Sequence, residues 1–272
     1  MNKLSEENEF KLEQIIELID KIVLNGDSGL KEFPSDHYEL LPFTYINFLG
    51  RFTFNFDSIN ILLRQYKVKQ NVEISIGLII RACLLDFMIV TYLSTYHADS
   101  TSQESEDNFD KQFDGFIADQ IHNTIKYLKV TKNTGLISQT DYRAAIESLN
   151  HTYKFLFKDE IIDYENPENK LISKEFKSPK YLFMRIHSHP LTKKYSKVYD
   201  YYTYYGKYEH FGIMTHYIQR QGIDNDFETM TVALKYMVLG MLTTMTLLSF
   251  NSDKLKEQRK ILLQLQHEFE KI

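Results

Sequence analysis

Residues 74–93 read ISIGLIIRACLLDFMIVTYL, apolar all round and yet carrying Arg81 and Asp86 near the middle. Charged side chains are almost never fully buried unless they are paired. Such a helix must turn both groups toward polar partners inside the fold, or leave a wet groove beside them. Five residues along an α-helix rotate a side chain by about 500°, so Arg81 and Asp86 diverge by about 140° and cannot serve each other well. Each needs a partner from another helix. Gly77 lies one turn before Arg81 on nearly the same face, where the missing Cβ lets a second helix or a ligand approach closely.

The stretch is long enough to span a bilayer, which takes roughly 20 residues, but charges near the centre argue for a core helix. A second apolar run, YMVLGMLTTMTLLSF at 236–250, is shorter and carries Thr243, Thr244 and Thr246. Both read as central helices of a folded protein with no membrane span. Only 10 glycines and 5 prolines occur in 272 residues, too few for the many turns of a sandwich or barrel. The hydrophobic share of 43% supports a sizeable core.

The expected architecture is a single all-α domain over residues 1–272, a helical bundle. Its two very apolar central helices, about 72–96 and 226–250, are surrounded by amphipathic ones. Ser5 caps a first helix that the run NGDSG at 25–29 stops. Ser35 or Asp36 caps a short helical segment, and Pro42 opens a second long helix. The polar stretches 97–110 and 158–180 read as irregular loops.

The net charge of −5 and pI of about 6.0 show no global basic excess of the kind that coats nucleic acid nonspecifically. A local basic patch stays open. The single cysteine, Cys83, sits in the apolar helix and reads as a small core residue. The N-terminal MNKLSEENEFKLEQ lacks the hydrophobic stretch of a signal peptide, so a cytoplasmic location is expected.

Two constellations could carry chemistry. The first is Arg81 with Asp86. The second is YYTYYGKYEHFG at 201–212, which sets Tyr205, Lys207, Tyr208, Glu209 and His210 on a short stretch beside glycines. Histidine exchanges protons near neutral pH, a neighbouring cation stabilises developing negative charge, and tyrosines stack or donate hydrogen bonds. His187, His189, His210 and His216 match no closed zinc pattern. Asp119-x-x-His122 is only half of a di-iron motif. No metal or cofactor is expected.

The apolar LIIRACLLD at 78–86, the Tyr-rich segment ending in YEHFG at 208–212 and the apolar C-terminal helix together resemble bacterial all-helical proteins of unknown function. These look distantly like the HEPN (higher eukaryote and prokaryote nucleotide-binding) superfamily. The resemblance covers about residues 70–250, with Arg81 and His210 matching recurrent polar residues of two facing helices. The group often has an acid one turn after the arginine; here that position is Leu85, and the acid is Asp86. The resemblance implies a helical bundle, a homodimer and, in many members, metal-independent RNA cleavage in toxin or anti-phage systems. Those nucleases carry an arginine and a histidine with four to six residues between them. No such pair occurs here: one residue lies between Arg185 and His187, three between Arg185 and His189, and seven between Arg143 and His151.

The sequence therefore favours a noncatalytic binding or scaffold module, whose polar core residues specify helix packing. The alternative is a ribonuclease in which Arg81 stabilises phosphate charge and His210 is the acid or base, with Tyr205 or Lys207 positioning the RNA. A homodimer suits both, and RNA or a nucleotide is the partner of the second.

Overall fold

The structure, a computed structural model, describes residues 4–33, 39–66, 72–99, 103–158, 162–172, 178–208, 222–249 and 253–272. Among these the fold is all-α, with no strand; an isolated bridge between Phe157 and Leu171 is the β-type pairing present. The chain gathers into two compact units. One comprises Met1–Thr95 with Pro179–Ile272, the other Tyr96–Ser178. The sequence reading expects a single domain over residues 1–272.

The first unit contains α1 (Glu6–Leu30), α2 (Leu40–Tyr66), most of α3 (Val72–Asp99), α6 (Pro179–Ser188), α7 (Val198–Tyr205), α8 (Ile223–Leu248) and α9 (Asp253–Phe269). Helices α1, α2, α8 and α9 pack in a closed cycle, each against the next, and α9 returns to α1. The two most apolar helices, α3 and α8, are central. Each is long and apolar enough to cross a bilayer by composition, and the fold buries 61% and 56% of their most apolar windows. Aromatic rings fill the space between them: Phe87 of α3 meets Tyr236 of α8 at 5.5 Å and, edge-on, Tyr195 at 5.7 Å.

NGDSG does not stop the first helix. Helix α1 runs through it to Leu30, with Asn25, Gly26 and Gly29 buried. The glycine serves packing rather than termination. A Cβ on Gly26 would lie 2.3 Å from Thr53 Oγ1 and 2.5 Å from Met241 Cε, so its absence lets α1 close onto α2 and α8 together. The Asn25 amide donates to the Gln258 carbonyl at 3.1 Å and to its side chain at 2.7 Å, tying α1 to α9. Pro42 falls inside the first turn of α2, where its missing N–H has no intrahelical partner to lose. The Ser35–Asp36 cap lies outside the described residues.

The 97–110 loop is also corrected. Helix α3 continues to Asp99 and α4 (Gln103–Asn133) begins four residues later. The acidic stretch supplies the first turn of α4, where Glu104 and Glu106 favour the positive end of the helix dipole. Phe109 then anchors that turn against His97 and Phe113. In this second unit α4 packs on α5 (Gln139–Thr152), which opens with a capping box between Ser138 and Asp141. Lys129 pairs with Glu168 at 2.6 Å, and the buried Tyr142 donates to the Tyr164 carbonyl at 3.0 Å. Between 158 and 180 the described chain holds only the 3-10 turn Pro167–Lys170 and the start of α6, much as its prolines suggested.

Gly26→Ala is expected to cost about 1–3 kcal/mol, because Thr53 and Met241 are buried and must shift. Gly115→Ala, inside α4 with nothing within 4 Å, should instead stabilise by about 0.5–1 kcal/mol. Urea unfolding of the two variants checks the contrast; equal midpoints would show that α1 is not held by that close approach.

Candidate functional site

The two charges of α3 part company, as helical geometry requires. Asp86 is 1% exposed and meets Arg51 of α2, whose Nη2 lies 3.0 Å from Oδ1 while its side chain stays 54% exposed. Arg51 thus reaches inward from the surface to cover one carboxylate oxygen; Oδ2 has no hydrogen-bond partner. Burial pushes the Asp86 carboxyl up to about 7, against the opposing pull of the Arg51 charge. One turn earlier Cys83 is fully buried, and burial raises its thiol further, with Asp86 adding to the effect.

Arg81 turns the other way. Its guanidinium lies 4.6 Å from the centre of the Tyr202 ring on α7, and Nη2 donates to the Tyr202 hydroxyl at 3.2 Å. A Cβ on Gly206 would be 3.7 Å from Arg81 Nε, so α7 and the 3-10 turn Gly206–Tyr208 lie along the arginine.

Beside Arg81, the glycine at 77 admits that same turn. A Cβ there would stand 2.4 Å from the Tyr208 ring and 3.0 Å from the Tyr205 ring. Tyr208 reaches past Gly77 and donates to Glu73 Oε1 at 2.5 Å. Glu73 is buried and its Oε2 has no hydrogen-bond partner. Tyr204 donates to Asp226 at the start of α8, another buried carboxylate. Tyr205 is stacked on Tyr208 at 5.9 Å and is edge-on to Tyr204 at 5.2 Å; its buried hydroxyl has no partner. Burial, and after it the neighbouring carboxylate charges and hydrogen bonds, raises all three phenols above their ordinary range.

The structure thus brings Arg81, Tyr205 and Tyr208 into one neighbourhood and leaves Asp86 with Arg51 on a different face of α3. Lys207 belongs to the 3-10 turn, while Glu209 and His210 lie outside the described residues. The sequence reading missed Glu73, Asp226, Tyr202, Tyr204 and Arg51. The signal for Glu73 was present: an acid at the head of an apolar helix, four residues before Gly77 on the same face. Among the described residues no three His, Cys, Asp or Glu side chains gather where a metal ion could sit.

No family model, curated protein or solved structure matches the chain. The described residues define an all-α protein with core carboxylates that accept hydrogen bonds from tyrosines and, at Asp86, an ion pair from an arginine.

Asp86 makes stability depend on pH. Its folded-state value near 7 lies above the unfolded value of 3.8, so the folded chain binds more protons between the two. Stability therefore falls as pH rises through that window and levels off above it. D86N removes the titration. The stability difference between D86N and wild type should move in favour of D86N by up to about 4 kcal/mol between pH 4 and pH 8. Chemical denaturation across that range measures it, and a constant difference would mean that Asp86 stays ionised throughout.

Proposed function

We propose that this protein is a noncatalytic binding or scaffold module whose polar core residues specify how its helices pack. The observation that carries the reading is the engagement of the core charges by side chains from other helices. Asp86 is held by Arg51, Glu73 by Tyr208, Asp226 by Tyr204, and Arg81 lies over Tyr202. Each contact joins separate elements, so each fixes a register between helices, a common use for polar groups in a core.

A second reading has one observation in its favour. Arg81 runs along Gly206, four residues before His210. A HEPN-like, metal-independent ribonuclease would use such an arginine to stabilise the charge of a pentacoordinate phosphate and His210 as acid or base. The two readings separate in an RNA cleavage assay on wild type and His210→Ala. The module reading expects background cleavage by both proteins; cleavage by wild type that is lost in H210A would replace it with the nuclease.

A further inference from the structure

Residues 179–208 differ in charge from the rest of the chain. They hold six cations, Lys180, Arg185, Lys193, Lys194, Lys197 and Lys207, and a single acid, Asp200, within a protein of net charge −5. Lys180, Lys193, Lys194 and Lys197 are exposed, while the half-buried Arg185 donates to Thr95 Oγ1 at 3.0 Å. Helix α6 buries Leu182 and Ile186 and turns Lys180, Tyr181, Met184 and His187 outward. Pro190 then ends the helix in a tight turn. The Thr192 and Lys193 amides donate back to the His189 carbonyl at 3.1 and 2.9 Å, and Thr192 Oγ1 donates to the Ile186 carbonyl at 2.9 Å. These bonds stitch the turn to the end of α6. Leu191 stands in that turn, 64% exposed, with Met184 at 58% and Tyr181 at 44%. Lys193 and Lys194 follow directly, and Lys197 one turn later. Among the described residues none of Lys180, Lys193, Lys194 and Lys197 takes part in an ion pair.

We infer that this face of α6 and the following turn docks on an anionic phospholipid surface, with Leu191 and Met184 entering the headgroup–acyl boundary and the lysines meeting the lipid charges. An apolar side chain fixed in the turn after a short helix and bordered by lysines combines the two contributions that hold a peripheral protein on a bilayer. Charge complementarity selects an anionic partner. Single-stranded nucleic acid would share the lysines, but it needs open aromatic faces for its bases. Here Phe183, Tyr199 and Tyr202 are already engaged. Phe183 stacks on Tyr199 at 5.0 Å, Tyr199 on Tyr202 at 6.1 Å, and Arg81 lies over Tyr202. The face does expose Tyr181, edge-on to Tyr92 at 6.4 Å, but its most exposed apolar side chains are Leu191 and Met184, which suit hydrocarbon better than bases.

This inference rests on the module reading and names its partner, but the readouts are separate, since RNA cleavage lost in H210A would end that reading without altering vesicle binding. The test is co-sedimentation of the full chain with sucrose-loaded vesicles. One set is phosphatidylcholine alone; the other is three parts phosphatidylcholine to one part phosphatidylglycerol. Wild type should bind the anionic vesicles at least about tenfold more tightly and lose that preference in high salt. The variant with Lys193, Lys194 and Lys197 all replaced by Gln should lose about tenfold or more on the anionic vesicles. Leu191→Ser combined with Met184→Ser should also weaken binding severalfold. Every substituted side chain is exposed, so far-UV circular dichroism should remain that of wild type. Equal binding to both vesicle types, or variants that bind like wild type, overturns the proposal. So does failure to bind vesicles while a single-stranded RNA oligonucleotide binds wild type and not the triple-Gln variant, which would assign the face to nucleic acid.

Discussion

A carboxylate inside a helical core is tolerable only where a donor from another element reaches it, and that requirement shapes the first unit of this fold. Among the described residues three buried carboxylates obey it: Asp86, Glu73 and Asp226. The costs differ with the donor. Arg51 brings a full charge, but it remains half in water and screens Asp86 from one side only, so desolvation still dominates that carboxyl. The tyrosines that meet Glu73 and Asp226 bring a hydrogen bond without a second charge to desolvate.

These contacts depend on how closely the backbones approach. Gly77 sits where the Tyr208 ring must cross α3 to reach Glu73, and a methyl group there would occupy the space of that ring. Gly240 does the same for Phe52 between α8 and α2, as Gly26 does for Thr53 between α1 and α2. The scarce glycines of this chain are thus spent partly inside helices, despite the cost of about 1 kcal/mol each in helix propensity.

This also explains what could be read in advance. The all-α class and the two central helices follow from the scarcity of turn residues and the length of the apolar runs. The divergence of Arg81 and Asp86 follows from helical pitch alone. The end of α1 was misread because NGDSG has the composition of a stop signal. Only the facing Thr53 and Met241, far away in sequence, reveal that the glycine is a contact. Arg51 as the partner of Asp86 could not be read for the same reason: nothing local marks it among the seven arginines of the chain as the one that reaches Asp86. Glu73 was more accessible to reasoning, since an acid on the face of Gly77 is as conspicuous as the arginine on it.

The tyrosine–carboxylate neighbourhood bears on chemistry as well as packing. General acid–base catalysis works best when a group's proton affinity lies near the operating pH. Tyr204, Tyr205 and Tyr208 are driven the other way, since burial and the adjacent Glu73 and Asp226 charges oppose loss of the phenolic proton. All three phenols remain protonated, and Tyr204 and Tyr208 donate to Asp226 and Glu73, which suits holding carboxylates in place and not exchanging protons with a substrate. Arg81 likewise spends one guanidinium face on Tyr202. Asp86, whose carboxyl burial raises to about 7, lies on a different face of the same helix behind Arg51. The described residues thus separate the titrating carboxylate from the arginine that would stabilise a reacting phosphate, an arrangement that favours a structural role for both.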